Sequence, residues 1–166
     1  MFLAIDVDYD NENGLAWVAG VAFDSVGSKE GEVFRAYLDD VPDYVSGEFY
    51  KRELPCIERL LEENGLQPHT IFVDGYCQFA GGLCLGGILH QRHPNIRVIG
   101  VAKNPHFHMP DNVEVYRGKS KRPLYVTASG LSHEEAKKIV AGMEGKYRLP
   151  DRLKQVDTEC RERLVA

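Results

Sequence analysis

No stretch of this 166-residue chain approaches the roughly 20 consecutive apolar residues that a membrane-crossing helix requires, which argues against such a helix. The opening residues, Met1 to Asp6, carry no basic segment, and Asp6 interrupts their apolar run, so no secretory signal is expected. Cys56, Cys77, Cys84 and Cys160 include no Cys-x-x-Cys pair and no regular framework. Reduced thiols in a cytoplasmic protein are therefore expected. Neither Gly81-Gly82 nor Gly86-Gly87 leads to a Gly-Lys-Ser/Thr ending, so neither is a phosphate loop, and both suit close helix-to-sheet packing. Repeats, low-complexity tracts and linkers are absent, which points to one domain over residues 1–166. Positive charge is also scarce: 20 Lys and Arg face 25 Asp and Glu, a net charge of -5. Such a balance argues against nonspecific coating of nucleic acid, which rests on neutralising phosphates. It leaves room for a carboxylate-rich cation site beside a local basic patch, for which Arg117, Lys119, Lys121 and Arg122 are candidates.

What is present is a change of period along the chain. Residues 2–9 alternate, with Leu3, Ile5 and Val7 on one face and Phe2, Ala4, Asp6 and Asp8 on the other, as a strand requires. Turn-rich segments separate it from strands at 15–23 and 32–38, and such short connections imply an antiparallel meander. From Phe49 the apolar residues Tyr50, Ile57, Leu60 and Leu61 recur at helical spacing, with the regular helix expected to begin near Pro55 and to close at Gly65. A buried strand at 70–74, a helix at 80–91 and a strand at 96–102 follow. A hairpin of 113–117 with 123–127 is then expected, and helices at 132–143, opened by the Ser132/Glu135 capping box, and at 150–163. Helix-separated strands 70–74 and 96–102 should run parallel. The succession is that of a ribonuclease-H-like α/β fold: a mixed five-stranded sheet with helices on both faces.

Four acids stand where the pattern calls for apolar residues. Asp6 is central in the first strand, Glu53 shares the face of Phe49, Tyr50 and Ile57, Asp74 ends a buried strand, and Asp157 lies four residues after Leu153 beside Val156. Taken singly, each fits a solvated strand end or a local salt bridge. Taken together they need a positive partner, because several buried carboxylates repel and desolvate one another. Hard oxygen donors of this kind suit Mg²⁺ or Mn²⁺ and the hydrolysis of phosphodiesters. Asp8, Asp10, Asp24, Asp39 and Asp40 sit at strand ends or turns and need no function.

These residues fall within a set of segments that together resemble endonuclease V. The segments are Ile5-Asp6-Val7-Asp8-Tyr9, Tyr44-Val45-Ser46-Gly47 with Arg52-Glu53-Leu54-Pro55, Val73-Asp74-Gly75, Gly100-Val101-Ala102-Lys103, and Tyr147-Arg148-Leu149-Pro150 leading to Asp157. Order and spacing are similar, and the match spans nearly the whole chain. The resemblance implies that Asp6, Glu53, Asp74 and Asp157 serve a metal site and that Lys103 assists at the phosphate. It further implies that the Tyr44–Gly47 segment wedges beside a displaced base, with Gly75 and Tyr76 at the substrate. The implied reaction is Mg²⁺-dependent cleavage of DNA or RNA near deoxyinosine or inosine, as in DNA repair. The cut falls one phosphodiester beyond the lesion on its 3′ side and leaves a 3′-hydroxyl and a 5′-phosphate.

Departures from the family pattern concentrate in base recognition. The usual His-Gly after Asp-Gly, with its His-Pro-Arg continuation, is here Tyr76-Cys77-Gln78-Phe79-Ala80-Gly81-Gly82. Ser46 replaces the wedge proline, Thr127–Leu131 stands for the Ser-Pro-Gly-His segment, and the chain begins almost at the first strand, without the family's N-terminal helix. A non-catalytic or substrate-shifted nucleic-acid-binding relative is therefore the alternative. His90-x-x-His93 and His106-x-His108 have no supporting pair for zinc and read as surface histidines, while Cys77 reads as a small packed hydrophobe.

Overall fold

The alternation of Phe2–Asp10 sends Leu3 and Ile5 into one apolar cluster and Phe2 and Ala4 into another, so this first strand (β1) is buried on both faces. The computed structural model describes residues 1–165. Around β1 the strands are β2 (Leu15–Phe23), β3 (Glu32–Leu38), β4 (Thr70–Asp74), β5 (Gln78–Phe79), β6 (Gly82–Leu83), β7 (Arg97–Ala102), β8 (Glu114–Val115) and β9 (Leu124–Ser129). The helices are α1 (Tyr50–Asn64), α2 (Leu85–Arg92), α3 (His133–Gly142) and α4 (Asp151–Arg161). Seven strands form the main sheet in the order β3-β2-β1-β4-β7-β9-β8. The first three strands are an antiparallel meander, and β4 and β7 continue the sheet parallel to β1 after helical crossovers. Leu54, Ile57 and Leu60 of α1 and Leu85 and Leu89 of α2 pack on one face. Ala136 and Val140 of α3 and Leu153, Val156 and Cys160 of α4 pack on the other.

The mixed sheet with helices on both faces is as expected, with two strands more than the five anticipated. The late hairpin joins the main sheet. Its second strand pairs antiparallel with β7 from Val98↔Ser129 to Ala102↔Tyr125, and β8 pairs with β9. The exposed edge of β7 thereby gains a partner, which removes a site for unwanted strand pairing.

Three local expectations are corrected. Helix α1 starts at Tyr50 and keeps Pro55 in its interior. The missing Pro55 N–H strands the carbonyl of Lys51, and because both residues are exposed, water can satisfy it. The segment 80–91 is helical only from Leu85; residues 78–83 form the small β5–β6 ribbon, with Ala80-Gly81 at its turn. Gly87 then packs against Cys77, where a Cβ would stand 2.5 Å from the Cys77 carbonyl oxygen. The capping of α3 holds as expected, the Ser132 hydroxyl accepting from the Glu135 N–H at 3.1 Å.

Arg117 is the third correction. It does not belong to a solvent-facing basic patch, for it is buried and its guanidinium gathers four backbone carbonyls. One terminal nitrogen donates to Tyr147 O at 2.6 Å and Arg148 O at 3.3 Å, the other to Met143 O at 2.6 Å and Gly145 O at 2.9 Å. The loop between α3 and α4 is thus pinned to the end of β8. Removing the guanidinium leaves those carbonyls without donors, and each hydrogen bond to a charged group contributes about 1.5–3 kcal/mol. Arg117→Ala should therefore lower stability in urea denaturation by about 3 kcal/mol or more. The exposed Lys119→Ala should stay within about 0.5 kcal/mol of the parent protein.

Candidate metal centre

The parallel pairing of β1 with β4 runs from Phe2↔Thr70 only to Ala4↔Phe72. Beyond that point the carboxyl ends of the two strands separate, and the opening is the place where ligands enter open α/β sheets. Asp6 projects there from β1, paired across the sheet with Ala19, and its Oδ1 accepts the Val7 N–H at 2.9 Å. Asp74 ends β4, and Gly75 turns the chain away at φ 118°, its N–H donating to Val101 O at 3.2 Å. The absence of a side chain at Gly100 lets this turn close, since a Cβ there would lie 2.6 Å from the Gly75 carbonyl oxygen.

Helix α1 brings in Glu53, only 5% exposed, whose Oε2 accepts the Tyr9 hydroxyl proton at 2.6 Å. The Arg52 guanidinium lies 3.9 Å over the Tyr9 ring and bonds to the Asn11 side chain, fixing the tyrosine from above. Helix α4 supplies Asp157, which also pairs with Arg161 one turn on at 3.2 Å. Ligand atoms of Asp6, Asp157 and Cys160 lie within 4.8 Å of one another. Glu53 and Asp74 stand outside that tight group but within electrostatic reach of Asp6.

The electrostatic consequence is plain. Burial, then Asp74, Glu53 and a hydrogen bond with Asp157, push the Asp6 carboxyl up to about 8, against the pull of the Val7 N–H. Burial raises Glu53 to about 7, with Asp74 adding to the rise and the Tyr9 hydroxyl and Arg52 opposing it. Asp74 is raised by burial and by Asp157, and is lowered by Lys103, which follows β7. Burial beside Asp6 and Asp157 pushes the Cys160 thiol up as well. Lys103 shares a small cleft with Asp6, Asp74, Leu149 and Leu153, and its carbonyl accepts from Arg148 at 2.9 Å.

The four expected acids and Lys103 are therefore brought to one opening. Cys160 and Tyr9 were not anticipated as neighbours of the acids. Cys160 was open to inference, being three residues after Asp157 on one helical face, whereas the Tyr9–Glu53 contact has no local signal. Tyr44 and Gly47 lie elsewhere, on the loop before α1. Tyr44 is 58% exposed, with its ring 6.4 Å from that of Phe49, and Gly47 adopts φ 82°. Gly75 adjoins Asp74, and the Tyr76 hydroxyl donates to Asn104 O at 2.6 Å. Phe79 stacks on His106 at 4.1 Å, so the rewritten segment builds an aromatic group with the loop after Lys103.

The histidines do not assemble a zinc site among the described residues. His90 bonds to Ile96 O at 2.7 Å, His93 to Glu58 at 2.8 Å, and His106 is occupied with Phe79. Asp8, discounted from sequence, is paired with Arg163 at 2.7 Å. A larger cavity, about 1010 Å³, lies at the other end of the sheet around Leu66, Pro68, His69 and Ile96, away from all four acids.

No family model matches the chain, and no curated protein matches it. Solved structures do. Endonuclease V of Streptomyces avermitilis superposes with a TM-score of 0.80 at 23% identity, over 98% of this chain and 80% of that one. Endonuclease V of Ciona intestinalis, in complex with a 24-mer DNA containing an inosine followed by a ribo-adenosine, gives 0.79 at 21% identity, over 98% and 84%. An Archaeoglobus fulgidus protein of unknown function gives 0.61 at 18% identity, over 99% and 98%. The class defined by the sheet order and these likenesses is the ribonuclease-H-like α/β fold. Within that class, the chain has the architecture of the endonuclease V structures.

Because Asp6 and Glu53 titrate higher in the folded protein than in the unfolded chain, the folded state holds protons over roughly pH 4–8 that the unfolded chain has released. Their contribution is thus most favourable at low pH and is lost as pH rises. In metal-free buffer, their part of the melting temperature should fall from about pH 5 to about pH 8. Asp6→Asn should flatten that fall, and a parent and variant with identical pH slopes would refute the shifts.

Proposed function

We propose that the chain is a divalent-metal-dependent endonuclease of the endonuclease V family, acting as one domain on phosphodiester bonds of DNA or RNA. The observation that carries this reading is the convergence of Asp6, Glu53, Asp74 and Asp157 at the open carboxyl end of β1 and β4. The donor set fits Mg²⁺ or Mn²⁺: it is rich in hard carboxylate oxygens, and burial, followed by the neighbouring acids, raises Asp6, Glu53 and Asp74, a cost that a bound cation would offset. When bound, such ions polarise a phosphate and lower the pKa of a water.

The chain's own groups divide the remaining work. Asp6, Asp74 and Asp157 supply carboxylate oxygens from three separate elements. Tyr9 orients Glu53 by donating its hydroxyl proton to Glu53 Oε2. Lys103 adds a positive contact at the scissile phosphate from beside Asp74. Exposed Tyr44, on the same loop as Gly47, stacks at the rim of a strand, and Gly75 offers backbone next to Asp74. The four cysteines are free, which fits a reducing compartment such as the cytoplasm.

A second reading, a relative with a shifted substrate, is favoured by the Tyr76–Phe79–His106 group. Recognising a flipped base requires a shaped pocket with hydrogen bonds to the base edge. Here the Tyr76 hydroxyl is already committed to Asn104 O, and the Phe79 face is covered by His106. Chemistry should therefore be kept while inosine preference is weak, a lost contact reducing discrimination by roughly 1–3 kcal/mol.

Cleavage assays with Mg²⁺ or Mn²⁺ on matched inosine and guanosine strands, in DNA and in RNA, test both parts. Wild type should cut, Asp6→Asn and Asp74→Asn should not, and inosine should be favoured by less than about a hundredfold. Saturating Mg²⁺ should also raise the melting temperature of wild type more than that of Asp74→Asn. No cutting by wild type, combined with equal thermal response of the two proteins, would rule out the metal nuclease.

A further inference from the structure

The cations on the Lys103 side of the centre are arranged as a connected strip. Arg148 donates to the Lys103 carbonyl at 2.9 Å, and Arg122 donates to the Asn104 side chain at 3.3 Å, so both flank the residue beside Asp74. Between them, the turn 118–122 lies against the loop after α3. Gly118, at φ 60°, faces the Lys146–Tyr147 backbone, where a Cβ would meet Tyr147 Cα at 3.4 Å. Ser120 stiffens the turn, its hydroxyl donating to Arg122 O at 3.0 Å and accepting the Arg122 N–H at 3.2 Å. The buried Arg117 locks the two segments together from beneath.

The result is a fixed surface bearing Lys119, Lys121, Arg122, Lys146 and Arg148, none of them in an ion pair among the described residues. Two acids lie at one edge of this surface, Glu144 on the loop itself and Asp151 from α4, and they share a small cleft with Lys146 and Tyr147. Two tyrosines stand out of the same strip, Tyr116 at 64% and Tyr147 at 61% exposure, and Lys146 covers the Tyr147 ring at 5.6 Å. On a protein of net charge -5, five cations clustered on one surface make a local patch that attracts anions.

We infer that this strip is a docking track for a single strand of DNA or RNA leading away from Lys103. Phosphates lie along the cations, and bases stack on Tyr116 and Tyr147. Unpaired cations interleaved with exposed aromatics are the elements of single-strand binding, because every base has a face to stack and every linkage a charge to neutralise. The inference rests on the nuclease reading for the direction of the strand, although binding along the strip can be measured without cleavage.

The test uses the full chain in EDTA, so that nothing is cut, with fluorescent oligo-dT and oligo-U of about 6 and 20 nucleotides in anisotropy titrations over a salt series. The longer strands should bind more tightly than the shorter ones. The triple variant Lys119→Ala/Lys121→Ala/Arg122→Ala should lose about tenfold or more on the long strands and reduce the salt slope by about 2, at roughly 0.7 per phosphate contact. Tyr147→Ala should lose about tenfold with no change of slope. Lys29→Ala, on a different surface, is the control. Strip variants that bind long strands like wild type would overturn the track while leaving the nuclease reading intact. Strip-dependent binding without any cleavage under Mg²⁺ or Mn²⁺ would uphold the track and remove the nuclease reading. Tighter strip-dependent binding to a duplex of equal length would overturn the choice of a single strand.

Discussion

Repulsion among carboxylates gathered at one opening, with Glu53 buried, Asp6 and Asp157 half-buried and Asp74 at the exposed rim, is the constraint around which the site is arranged. A lone acid at Asp6 could relax toward solvent, but Asp74, Glu53 and Asp157 approach it from three other elements and each makes its ionisation harder. The backbone that permits this approach is specialised in small ways. The early end of the β1–β4 ladder opens the cleft, and Gly75 and Gly100 let the chain turn sharply at its floor. Tyr9 and Arg52 spend their polar groups on keeping Glu53 in place. Packing on either side is otherwise conventional, with two apolar clusters divided by the sheet.

The four acids were legible in the sequence because each breaks a local hydrophobic period. A carboxylate in the register of Phe49, Tyr50 and Ile57, or in the middle of β1, contradicts its neighbours, and the contradiction is itself the signal. The strands and the parallel β4–β7 pair were legible for the same reason, since alternation and helical spacing are local properties. What escaped was set by distant residues. The Tyr9–Glu53 bond joins positions 44 residues apart, and Arg117 reaches carbonyls 26 to 31 residues later. Nothing near Arg117 separates it from Lys119, yet one is buried and the other exposed. Pro55 misled as a start signal because a proline on the solvent side of a helix strands only a hydrated carbonyl. Residues 80–84 misled because glycines that make a turn look, in composition, like glycines that let a helix pack.

Lys103 separates two surfaces of different character. Toward Tyr76, the chain has built an aromatic group whose polar atoms are already satisfied by its own backbone. Toward Arg148 it has left Lys119, Lys121 and Lys146 without ion pairs among the described residues and held their backbone through one buried guanidinium. The two surfaces therefore differ in what they leave open: one is closed on itself, and the other presents unpaired charge. Both depend on the same short stretch after β7, where Lys103 and Asn104 lend their carbonyls and side chains to neighbours on each side.

The position of Asp157 on α4 has a consequence for the protein's birth. Helix α4 docks across β1 and β2, the first strands to be made, and carries the last of the four acids some 150 residues after the first. At synthesis rates of about 5–20 residues per second, a nascent chain would carry Asp6, Glu53 and Asp74 for several seconds before the fourth carboxylate existed. During that interval the ribosome holds three of the four acids, and the cluster is complete only once the closing helix docks.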